Sequence, residues 1–130
     1  MSNNKVYLGQ LETLIVANTS TVLGAGGVFV GDVFNVSGYT HISGFAFSDV
    51  DSAANGLIIE QAFQSSDFTA GTANTGLITR SLYSITGADM DNNSLAVQIV
   101  APFARIIYTN GAAGQATFRM HFAARILRGL

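Results

Sequence analysis

The chain has 130 residues, of which 48% are hydrophobic and 11% charged, with a formal net charge of -2 and no cysteine. Such a length suits one domain with its own core, and the missing cysteines exclude disulfides and thiolate metal sites. Charge this sparse leaves little polar material to cover a surface, and the acidic balance argues against a nucleic-acid binder.

The opening "MSNNKVYLGQ" has a single Lys and no continuous apolar stretch, so no secretory signal is expected. The apolar run that follows, "LETLIVAN", carries Glu12 and is far shorter than the roughly 20 residues of a spanning helix, so no membrane segment is expected. Residues 1–26 end in "TVLGAGG" and have two readings: an arm that leaves the fold to lie on a neighbour, or a first strand behind a frayed tail. Residues 27–130 are read as the folded domain.

Strand and turn signals then alternate to the end, with hardly any helical periodicity. With "LETLIVAN" counted, "GVFVGDVFNV", "YTHISGFAFSD", "GLIIEQAFQ", "LITRSLYSI", "SLAVQIVA", "FARIIYT" and "ATFRMHFAARIL" make eight β-rich segments. The connections between them are rich in Gly, Asn, Asp and Ser, the residues of turns. The expectation is an all-β chain forming a single jelly-roll-like β-sandwich of about eight antiparallel strands. Many segments are apolar at both alternating sets of positions. A membrane barrel would alternate, whereas a sandwich whose outer face is covered by other protein would not.

Three segments hold candidate functional residues. In "YTHISGFAF", one register turns Ile42, Gly44 and Ala46 inward and leaves Phe45 and Phe47 outward beside His41, the mark of an interface. The other register buries both Phe residues and makes Gly44 a bulge. In "DVDSAANGLIIE", Asp49, Asp51 and Glu60 stand at EF-hand positions, but Ala53 and Ala54 replace a ligand and the required Gly. Asp49 and Asp51 are therefore expected to accept backbone N–H bonds in a turn, with a calcium site of another kind as the alternative. No cofactor is expected.

The third segment is "RIIYTNGAAGQATFRMHF", which predicts a hairpin over Asn110-Gly111 with Ile106, Tyr108, Phe118, Met120 and Phe122 inward and Arg105 and Arg119 outward. All acidic residues lie between Glu12 and Asp91, whereas Arg105, Arg119, Arg125 and Arg128 fall near the end. These arginines either meet an acidic partner surface or phosphate, or pair within the fold, with Glu60 as one partner. For an enzyme the sequence supplies only His41 and His121 as bases, and no G-x-S-x-G, H-E-x-x-H or phosphate loop; no catalysis is expected.

The order "FVGDVFNVSGYTHISGFAFSD", "GLIIEQAFQSSDF" and "ARIIYTNGAAGQATFRMHF" resembles small β-sandwich proteins of tailed-bacteriophage virions over about residues 28 to 122. The matching positions are Tyr39, Ser48, Asp49, Gly56, Ser66, Asp67, Tyr108, Asn110, Gly111, Gln115, Phe118 and Arg119. Phe68 departs from the pattern, which usually has Gly there, and no Trp follows. The resemblance implies a structural virion protein, most like a head decoration or cement protein. Such a protein trimerises on the outer capsid surface, with itself and the major capsid protein as partners and with no nucleic acid or membrane contact. Phe45, Phe47, Arg105, Arg119, Arg125 and Arg128 are the candidate interface residues. A tail or baseplate subunit of the same fold is the alternative. So is a carbohydrate-binding module using Tyr7, Tyr39, Tyr83 and Tyr108, although Trp, the preferred sugar platform, is absent.

Overall fold

The computed structural model describes residues 13–68, 77–89 and 93–126. They form nine strands: β1 (Thr13–Thr19), β2 (Val28–Val30), β3 (Phe34–Asn35), β4 (His41–Ser48), β5 (Ser52–Ala62), β6 (Leu77–Tyr83), β7 (Ser94–Gln98), β8 (Phe103–Asn110) and β9 (Phe118–Arg125). A single 3-10 turn at Ser65–Asp67 is the only helical element among the described residues. One sheet has the order β1-β9-β4-β7 and the other β2-β8-β5-β6, with β3 also on β8; all pairings are antiparallel. The chain crosses repeatedly between the sheets, which is the jelly-roll form of a β-sandwich. The expected all-β architecture is therefore the one observed.

Alternation along the strands explains the core. Ile42 and Ala46 from β4, Met120 and Phe122 from β9, Leu57 and Ile59 from β5, and Ile106 and Tyr108 from β8 are all fully buried. The Tyr108 and Phe118 rings pack with centroids 4.8 Å apart, tying the two sheets together. Each large side chain removed from water contributes about 1.5–3 kcal/mol toward offsetting chain entropy. The inward register of β4 is thus the first of the two expected. It is enforced at Gly44, where a Cβ would lie 1.9 Å from the His121 carbonyl oxygen and 2.7 Å from the Phe122 Cα, so no larger residue fits between β4 and β9.

Two expectations need correction. The segment "GVFVGDVFNV" is not one strand but two, β2 and β3, because Gly31 turns against β8. Its N–H donates to the Ile106 carbonyl at 2.8 Å, and a Cβ there would sit 2.8 Å from the same oxygen. Of residues 1–26, Thr13–Thr19 form β1, which pairs with β9 at the edge of the sandwich, while residues 1–12 lie outside the described residues.

The second correction concerns the final hairpin. β8 and β9 lie in opposite sheets, so Asn110-Gly111 does not close a two-strand turn. Asn110 is buried at the end of β8, and its amide donates to the carbonyls of Leu23 (3.2 Å), Gly24 (2.9 Å) and Ala113 (2.8 Å). Gln115, also buried, accepts from the Leu23 N–H through its side chain at 2.8 Å and donates to the Ser48 hydroxyl at 3.1 Å. These bonds pin the 23–27 and 111–115 loops together over one end of the sandwich, where the chain crosses between sheets.

Candidate functional site

The registers fix what each sheet presents outward. On the β1-β9-β4-β7 sheet, pairing places Arg125 beside His41, Ala123 between Ile15 and Ser43, His121 between Asn18 and Phe45, and Arg119 beside Phe47. Phe45 is 37% exposed and Ile15 48%, while Phe47 is half-buried. No Asp or Glu occurs in any of these four strands.

The arginines of this face rest on neutral oxygens. Arg119 Nη1 donates to Asn18 Oδ1 (2.6 Å) and to the carbonyls of Met120 (3.0 Å) and Thr19 (3.4 Å). Arg125 Nε donates to Ser43 Oγ at 2.9 Å. Neither arginine has a carboxylate partner among the described residues. His41 Nδ1 lies 3.0 Å from Thr40 Oγ1, and His121 Nδ1 is buried without a hydrogen-bond partner.

The β2-β8-β5-β6 sheet presents something different. Its registers align Val30, Ile107, Ile58 and Leu82 in one row across all four strands. Val30 is 53% and Leu82 46% exposed. The next row is Arg105, Glu60 and Arg80, where Glu60 accepts from Arg105 Nε at 2.8 Å and lies 3.2 Å from Arg80 Nε. Glu60 is only 3% exposed although it points outward. Phe68 reaches across this row, with the Arg105 guanidinium 5.3 Å from its ring centre. Phe68 thus stacks on the ion pair.

The candidate interface residues therefore separate. Phe45, Phe47, Arg119 and Arg125 come together on one outer face. Arg105 lies on the opposite sheet, paired within the subunit, and Arg128 lies outside the described residues. The aliphatic row was not foreseen: its members are far apart in sequence, and only the strand registers bring them together. Asn18 was missed as the partner of Arg119 for the same reason.

The acidic turn behaves as expected. The Asp49 carboxylate accepts from the N–H groups of Ala116 (2.9 Å) and Thr117 (3.0 Å), and Asp51 accepts from Gly87 N–H at 2.7 Å. The Thr117 bond first, and that of Ala116, hold the Asp49 carboxyl below the ordinary aspartate range. Glu60 is spent on arginines rather than closing an EF-hand loop, and β5 already begins at Ser52. Among the described residues no group of three His, Cys, Asp or Glu side chains is placed to hold a metal.

The tyrosines make a poor sugar platform. Tyr108 is wholly buried, and Tyr39 and Tyr83 pack against the core; Tyr7 lies outside the described residues. Burial pushes the Tyr108 phenol above its ordinary value. Ser48 and Gln115 are near enough to oppose that rise, but neither meets the hydroxyl in hydrogen-bond geometry.

Comparison with protein-family models, with curated proteins and with solved structures finds no match to this chain.

Proposed function

We propose that the protein is a structural virion protein, a decoration or cement protein that binds as a homotrimer to the outside of a phage head. The observation that carries this reading is that both outer sheet faces display large apolar side chains: Ile15 and Phe45 on one, Val28, Val30 and Leu82 on the other. A monomer would leave these in water, whereas contacts with other copies and with a capsid lattice would cover them. The low charge content and the resemblance of the chain's motifs to those of phage β-sandwich proteins favour the same reading. The fold by itself does not decide it.

Light scattering on the purified full chain should give about three times the 13.6 kDa chain mass, and the protein should pellet with capsids. A monomer at micromolar concentration that stays in the supernatant would overturn the proposal.

A further inference from the structure

We infer that the outer face of the β1-β9-β4-β7 sheet is a docking surface for a carboxylate-bearing protein surface. The link to a capsid rests on the reading above; the chemistry of the face does not. On the opposite sheet the outward Arg105 finds an acid on the neighbouring strand, Glu60. Here the four strands contain none. Arg119 is held in place by three neutral oxygens. Arg125 is steered by Ser43 through Nε, and among the described residues its terminal nitrogens have no acceptor. Both guanidinium groups are oriented before any partner arrives, so little freedom is lost when a carboxylate binds.

The layout of the face matches an interface. Arg119 and Arg125 stand six residues apart on β9, about 20 Å along the strand. Between them lie two cross-strand rows, Ala123 between Ile15 and Ser43 and His121 between Asn18 and Phe45, with Ile15 and Phe45 exposed. Two exposed apolar side chains among uncharged or weakly polar neighbours, with an arginine at each end, suit a protein surface that carries acids around an apolar patch. Nucleic acid fits less well, since two arginines neutralise few phosphates and the chain as a whole is acidic.

The test uses the full-length protein on immobilised poly-L-glutamate, with immobilised oligodeoxythymidylate in parallel. The wild type should be retained by polyglutamate at low ionic strength and released as salt screens the contact. Arg119→Gln/Arg125→Gln should lower the apparent affinity at least about tenfold while melting normally. Val30→Ser/Leu82→Ser, on the other sheet, should be retained like the wild type. The inference is overturned if the wild type is not retained, if the double arginine variant is retained equally, or if oligodeoxythymidylate holds the protein more tightly. It is overturned in favour of self-association if that variant changes the mass in light scattering instead. Retention on polyglutamate without pelleting on capsids would refute head attachment and leave this face standing.

Discussion

Arg105 and Arg119 point outward from opposite faces of one sandwich and meet different fates. Arg105 lies beside a buried carboxylate under the Phe68 ring, so its charge is used up in holding the fold together. Arg119 sits on amide and carbonyl oxygens that fix its direction without neutralising it. The difference comes from the strands: β5 supplies Glu60, whereas β1, β4, β7 and β9 supply no acid. An arginine on an outer sheet face is a candidate contact only where its own strand neighbours cannot pair with it.

The sharpest way to break this contrast is to remove Glu60. The acid is 3% exposed, and its loss strands Arg105, itself 11% exposed, without a counter-charge. Breaking a buried pair from one side costs about 3–5 kcal/mol. Arg80, at 35% exposure, adds little to that because water screens it. Urea unfolding of Glu60→Ala should therefore show the largest loss of any substitution considered, and Glu60→Ala/Arg105→Met should recover most of it. A loss below about 1 kcal/mol would mean that the row is as loosely held as an ordinary surface pair.

Much of this was legible in the sequence. Period-2 alternation in "FRMHFAARIL" already set Phe118, Met120 and Phe122 against Arg119 and His121, and the structure buries that first set. What alternation does not carry is the identity of the neighbour across the ladder. Arg105 and Arg119 looked like partners on one hairpin because they flank a turn-forming Asn-Gly, and Asn-Gly is a strong local hairpin signal. Three carbonyl contacts of the buried Asn110 amide overrode it. The same non-local pairing hid the aliphatic row, whose members come from β2, β8, β5 and β6.

A smaller effect is expected on the face whose four strands carry no acid. Arg119→Gln and Arg125→Gln each lose hydrogen bonds from a partly exposed guanidinium to neutral acceptors that water can also satisfy. Each should cost about 1 kcal/mol or less in the same urea experiment. A loss matching that of Glu60→Ala would show that these arginines hold the fold rather than the surface.

The smallest effect tests whether the face is free of acid at its margin. Asp49 follows the last residue of β4 and is two residues from Phe47, the cross-strand neighbour of Arg119. Its carboxylate is taken by the backbone N–H groups of Thr117 and Ala116, and no salt bridge to Arg119 is formed. Those donors depress its folded pKa. A depressed carboxyl contributes stability that is present above its unfolded value and lost as pH falls through the lower folded value. The melting temperature of Asp49→Ala should thus lie slightly below that of the wild type at neutral pH. The gap should close as the pH falls well below the ordinary aspartate value of about 3.9. If Asp49 acts only through the backbone, its effect and that of Arg119→Gln should add in the double variant, because the two side chains share no contact. A double variant that melts clearly above the additive expectation would make Asp49 a hidden counter-charge for Arg119, and the two sheets would then differ in degree rather than in kind.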